Sequence, residues 1–344
     1  MCSSDLPDAG RFDPLGAVLS AAGIALLTWS IIEAPQHGWG SFETVGGIFG
    51  SLAILAAFAW WQARRPDPML DVRLFRNARF SAASAAIALA FFGLFGFIFM
   101  ITQYFQLVRG YDPLGAGLAT LPFAFVTAGF SPLAMLAMRR FGTKLVVAAG
   151  LATMSAGFVI AATTAADSPY WGKVVIAMML MAAGLGLTTG PATEAIMGAL
   201  PPGKAGAGSA VNDTTREVGG TLGVAIVGSV LNSAYGSHVV SGLTALGASA
   251  SVAHLAGQSV AAGANVAAHF PAPLRDAAQS AVQSAFMTGL HRGSLVAAGT
   301  TLAAALMALA FVPARAVTGS EPLIARTDAA DTGSRAAPPV AAER

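Results

Sequence analysis

Three ionisable residues, Asp213, Arg216 and Glu217, crowd the first half of a single apolar stretch of this 344-residue chain. Separations of three and four residues put them on one face of a helix. Two carboxylates and a guanidinium so placed can hold a proton, gate a path or form an ion-pair network. The same residues also suit a helix start, where acids favour the N-terminal dipole and arginine reaches outward to polar surroundings. Both readings stand. Glu194, close to the end of the preceding apolar run, is placed either to pair with Arg216 and titrate, or to be solvated at a helix end. Glu33 reads as a solvated helix end.

A second group lies around Gln103. Phe92, Phe95 and Phe99 recur at helical spacing on one face, which Gln103 shares. Aromatic walls with a few hydrogen-bonding groups suit a cavity for greasy cations or amphiphiles. Phenylalanines at this spacing equally suit plain packing or contact with lipid. A third group is small. Gly184, Gly186 and Gly190, then Gly219, Gly220, Gly223 and Gly228, read as positions of close helix approach. The second run is no phosphate loop, because it lies inside an apolar segment and lacks a Gly-Lys-Ser/Thr ending.

Other chemistry finds little support. His238, His254, His269 and His291 have irregular separations that match no metal-ligand pattern, and no cofactor is indicated. Cys2 is the single cysteine, which excludes an intrachain disulfide. No nucleophile–base pair stands out, so the chain does not read as an enzyme. No basic block with interleaved aromatics points to nucleic acid.

The elements that must position these residues are membrane helices. Charged residues make up 10% of the chain and hydrophobic ones 55%, whereas about a quarter is charged in a soluble domain. A bilayer core of roughly 30 Å takes about 20 apolar helical residues. Eight stretches qualify: 14–34, 43–61, 80–107, 114–138, 144–166, 171–198, 208–232 and 293–312. Pro14 suits a helix start, and Trp60 and Trp61 suit an interfacial anchor. Pro122 and Pro132 predict kinks, tolerated where neighbouring helices re-satisfy the freed carbonyls. Residues 233–291, rich in Ala, Ser and Gly, read as an external loop with some surface helix rather than a ninth span.

Lys and Arg concentrate on the cytoplasmic side of membrane proteins. Arg11, Arg64, Arg65, Arg73, Arg76, Arg79, Arg139, Arg140, Lys144, Lys204, Arg315, Arg326, Arg335 and Arg344 fall on one side of the eight-span layout. Only Arg109, Lys173, Arg275 and Arg292 fall on the other. Both termini are therefore expected in the cytoplasm.

Several segments resemble the fourteen-helix drug:proton antiporters of the major facilitator superfamily, the EmrB/QacA-like group. Arg11-Phe12-Asp13-Pro14-Leu15-Gly16 and Gly38-Trp39-Gly40 are similar to the start of that family's seventh helix and the turn that follows. Leu74-Phe75-Arg76-Asn77 resembles the approach to its ninth. Gln103-Tyr104-Phe105-Gln106, Gly110-Tyr111-Asp112-Pro113-Leu114-Gly115-Ala116-Gly117 and Leu121-Pro122 resemble its ninth-to-tenth connection. Gly184-Leu185-Gly186, Gly190-Pro191, Leu200-Pro201 and Gly206 resemble its twelfth helix and the chain leaving it. Gly219-Gly220-Thr221-Leu222-Gly223-Val224-Ala225-Ile226 is similar to the thirteenth. The set runs in the family's order from about Arg11 to Val312.

The resemblance implies an all-α integral membrane protein: an accessory hairpin (11–62), an Arg-rich cytoplasmic loop (63–79) and a C-terminal six-helix repeat (80–312) containing the external loop 233–291. Residues 313–344 read as a disordered cytoplasmic tail. Residues 1–10 read as a polar or artefactual N-terminus, in which Met1–Leu6 look like an assembly scar. The family's N-terminal repeat is missing, so transport is expected of a longer parent. Its expected partners are membrane lipid, protons and an amphipathic small-molecule substrate, in a bacterial-type inner membrane. Two alternatives remain: export of a natural metabolite, antibiotic or lipid-like molecule, and a non-transporting fragment or partner subunit.

Overall fold

The computed structural model describes residues 13–65, 68–200 and 205–312. The segments 1–10 and 313–344 singled out above lie outside the described residues, apart from which helix is the regular structure throughout.

Local chemistry sets the helix ends. Asp13 caps α1 (Pro14–His37), its Oδ1 accepting from the Gly16 N–H at 3.0 Å, with Pro14 in the first turn where no donor is needed. Gly38 stops that helix at φ +94°, a conformation that costs glycine nothing. Ser41 caps α2 (Phe42–Arg64) and Asn77 caps α3 (Ala78–Gln103) in the same way. Asp112 and Pro113 repeat the Asp-Pro start at α4 (Pro113–Phe141), which Gly142 ends at φ +82°. α5 follows (Thr143–Ala161), then α6 (Val175–Gly198) and α7 (Ala205–Ala245). Beyond these come α8 (Ala250–Gly257), α9 (Val260–Ala268) and α10 (Ala272–Phe311).

Among the described residues, eight helices are long and apolar enough to cross a membrane, as the hydrophobic runs require. Six form a bundle. α4, α6, α3 and α7 stand in a row, with α5 and α10 packed behind them. The α1–α2 hairpin packs through α1 onto α7. There Ser229 Oγ donates to the Ile31 carbonyl at 2.6 Å and Trp39 Nε1 donates to Ser233 Oγ at 3.2 Å. α4 carries a stripe of exposed Leu114, Leu118, Leu121 and Phe125. An apolar surface of that kind calls for lipid or another helix layer, not water.

The segment 233–291 departs from the loop expected of it. α7 runs on to Ala245, α8 and α9 form two short helices, and α10 begins at Ala272 instead of Gly293. Tyr235, Val239, Leu243, Ala256, Val260, Phe270 and Phe286 are buried there as part of the main core. The reason is physical. Ser, His, Gln and Asn interrupt the segment, so it holds no apolar run of bilayer length, whereas alanine has the best helix propensity and packs closely. The last turn of α3 widens into a π-helical turn (Tyr104–Val108), and a second such turn (Tyr170–Val174) leads into α6.

Candidate functional site

Arg216 is the residue around which the sequence candidates gather. It projects from α7 across α3, its guanidinium carbon 5.2 Å from the centre of the Phe91 ring. A cation over an aromatic face is worth about 0.5–2 kcal/mol, more where water is excluded. Beyond Phe91, Arg216 Nη2 donates to Thr193 Oγ1 on α6 at 3.2 Å. Thr193 in turn donates to Asn212 Oδ1 at 3.4 Å, which returns the chain of contacts to α7. Nε of Arg216 is enclosed and meets no acceptor among the described residues. A buried donor left unmatched asks for an explanation.

The acids do not pair with it. Glu194, beside Thr193, is exposed, and so are Asp213 and Glu217. None of the three forms an ion pair among the described residues. Asp213 and Glu217 are exposed, whereas Arg216 is half-buried and reaches toward α3 and α6. The geometry is therefore one cation held over an aromatic ring between three helices, with three carboxylates on the open side around it. Arg216 lies in the first third of α7 and Thr193 in the last two turns of α6, while Phe91 is at the middle of α3.

The aromatic and glycine candidates come together instead as packing partners. A Cβ on Gly219 would collide with the Ala88 carbonyl, and one on Gly223 with the Phe92 carbonyl. Cβ atoms on Gly220 and Gly228 would stand 2.9 and 3.2 Å from the rings of Phe95 and Phe99. The Phe face of α3 is thus pressed onto the Gly face of α7, and Phe92 is buried in that seam. On α6, a Cβ at Gly184 would strike the Gly150 carbonyl of α5, and one at Gly186 would come 2.9 Å from the Thr127 carbonyl of α4. Gly190 faces the Met135 sulfur at 3.2 Å. Among the described residues, Gln103 makes only a local bond, Nε2 to the Phe99 carbonyl at 3.4 Å. It stands about 18 Å along α3 from Phe91 and takes no part in the Arg216 cluster. A small cavity lined by Phe97, Met100, Phe158 and Ser294 holds about 30 Å³, room for about one water and not for a drug-sized molecule.

One cluster was missed. Asp13 is buried at the arginine-rich end of the hairpin. Its carboxylate accepts from Trp61 Nε1 at 3.2 Å and from Gln62 Nε2 at 2.8 Å, and Arg65 Nη1 lies 2.6 Å away. Burial raises the Asp13 pKa, but the donors from Gly16, Trp61 and Gln62 and the Arg65 charge outweigh it, holding the carboxyl below its ordinary value. The legible signal was the Asp-Pro helix start facing a Trp-Gln-x-x-Arg helix end.

Residues 12–224 match the model of the Major Facilitator Superfamily. Among curated proteins the chain is 34% identical over 223 residues to multidrug resistance protein Stp of Mycobacterium tuberculosis, covering 65% of this chain and 41% of that protein. It is 32% identical over 301 residues to multidrug efflux pump LfrA of Mycolicibacterium smegmatis, covering 87% and 58%. It is 29% identical over 227 residues to the tetracenomycin C resistance and export protein of Streptomyces glaucescens, covering 65% and 42%. The chain thus spans about half the length of these relatives. With the family model matching well over half of its residues, eight membrane-length helices and drug-efflux proteins among its relatives, this multi-pass membrane protein belongs to the Major Facilitator Superfamily.

Proposed function

We propose that this chain forms part of a proton-coupled efflux transporter for amphipathic compounds in a bacterial plasma membrane. The observation that carries the reading is Arg216. A guanidinium is costly within a membrane-length helix bundle and marks a functional pathway by default. Here it is held by Phe91 and Thr193 with one donor unmatched, beside three exposed carboxylates. In this reading the side of α3, α6 and α7 that carries Phe91, Thr193, Glu194, Asp213 and Glu217 is one wall of a transport cavity. A second set of helices supplies the opposite wall. The carboxylates exchange protons as the walls part and close, and the arginine-rich end faces the cytoplasm. Substrate and coupling sites between paired helix repeats are the general pattern of secondary transporters.

Export of a natural antibiotic or metabolite is the second reading, and the similarity to the tetracenomycin C resistance and export protein favours it. Expression of the complete gene in an efflux-deficient host tests both. Lowered ethidium accumulation that returns to control levels when the proton gradient is collapsed supports drug efflux. Unchanged ethidium accumulation rejects drug efflux and turns the search to aromatic natural products.

A further inference from the structure

α7 and α10 are 41 and 40 residues long, about 60 Å each and twice the thickness of a bilayer core. Their surplus lies away from Arg216. The level at which the shorter helices stop is marked by the Trp39–Ser233 bond and by His291, whose Nε2 is 2.7 Å from the Thr164 carbonyl after α5. Beyond that level α7 continues for about 18 Å to Ala245, and α10 descends about 28 Å from Ala272. With α8 and α9 they build a helical cap. Tyr235 anchors it, donating to the Ala256 carbonyl at 3.1 Å.

At the far tip of the cap is an open cleft of about 610 Å³, between the turn after α7, α9 and the start of α10. Small-molecule sites run from about 300 to 1,000 Å³ and are apolar with a few placed polar groups. Val252, Leu255, Val266 and Leu274 supply the apolar walls, and no Asp, Glu, Lys or Arg lines the cleft. His269 Nδ1 is 2.8 Å from the Asn265 carbonyl. A carbonyl only accepts, so Nδ1 carries the proton and Nε2 of the neutral ring is left as an acceptor.

We propose that this cleft binds a small amphipathic molecule with an apolar body and an amine or hydroxyl that donates to His269. Its place on the release side of the membrane rests on the transport reading above; the binding itself does not.

The test uses the whole chain in lipid nanodiscs, with Cys2→Ser and a single new cysteine, Leu255→Cys, labelled by a maleimide. Ethidium, an aromatic body with two aryl amines, is the probe. Saturating ethidium is expected to slow labelling at least tenfold, and His269→Ala to raise the half-protecting concentration about fivefold. Val252→Cys gives an independent readout should Leu255→Cys fold poorly. Labelling unchanged by ethidium at both cysteines overturns the proposal. Equal slowing at Leu118→Cys on α4 also overturns it, since that reports partition into the bilayer. Protection that grows with protein concentration alone overturns it in favour of a second copy of the chain. Arg216→Ala separates the two readings: efflux by the complete transporter is lost while protection of Leu255→Cys persists.

Discussion

Arg65 Nη1 stands 2.6 Å from Asp13 Oδ1, so the C-cap of one hairpin helix is ion-paired to the N-cap of the other. Trp61 and Gln62 fill the remaining acceptor sites of the carboxylate, and Arg65 lies 5.6 Å from the centre of the Trp61 ring. The pair closes the α1–α2 hairpin at the end opposite its Gly38–Ser41 turn.

The lowered Asp13 pKa sets a pH dependence. A carboxylate depressed in the folded state stabilises fully above its unfolded value, near 3.8. The stabilisation fades as pH falls through the lower folded value. Protection against hydrogen exchange across 14–64, measured relative to the intrinsic exchange rate at each pH, is expected to fall on acidification below about pH 4. Asp13→Asn should give the lower protection already at pH 7 and flatten the acid response.

The α3–α7 seam predicts opposite signs for two glycine substitutions. Gly223→Ala drives a methyl into the Phe92 carbonyl and should destabilise by about 1–3 kcal/mol. Gly129, inside α4, has open space where a Cβ would sit. Gly129→Ala should stabilise by roughly 0.5–1 kcal/mol, as alanine restricts the unfolded chain and favours helix. Thermal unfolding in one detergent compares them; equal shifts would contradict the packing described.

Arg216 makes a charge-assisted bond, worth about 1.5–3 kcal/mol when lost. Thr193→Val removes the acceptor while keeping the shape, and should lower ethidium efflux by the complete transporter about tenfold with normal expression. Arg216→Lys keeps the charge but cannot hold both Phe91 and Thr193, and should be as impaired. Efflux unchanged in both variants would remove Arg216 from the pathway.

In the cap, Tyr235→Phe deletes the bond to the Ala256 carbonyl and should cost about 1 kcal/mol. Faster hydrogen exchange confined to α8 and α9 is the expected readout. Exchange spreading through α3 and α5 would instead tie the cap to the stability of the whole bundle.

The eight membrane-length helices were legible because apolar density over about 20 residues is what a bilayer demands and what a reader of sequence can see. The helical cap was not, because its apolar residues are interrupted by Ser, His, Gln and Asn and form no run of bilayer length, while alanine supplies helix propensity that such a run does not report. The spacing of Phe92, Phe95 and Phe99 suggests one face, yet spacing does not say what the face meets. The glycines of α7 were the partner, visible in sequence as a second stripe but without a register between the two. At Arg216 the charges were apparent and their pairing was not. Its contacts are Phe91 and Thr193, on two other helices, and only the fold brings those together.

α7 joins two distant places in one rod. Asp213 and Glu217 sit near one end, and Tyr235 and Leu243 near the other, with no non-helical residue between. Over a length of about 60 Å, a tilt of roughly 5° about one end sweeps the other through about 5 Å. Small rocking at the charged end is thereby multiplied into a displacement as large as a side chain at the cap, with no separate hinge to carry it.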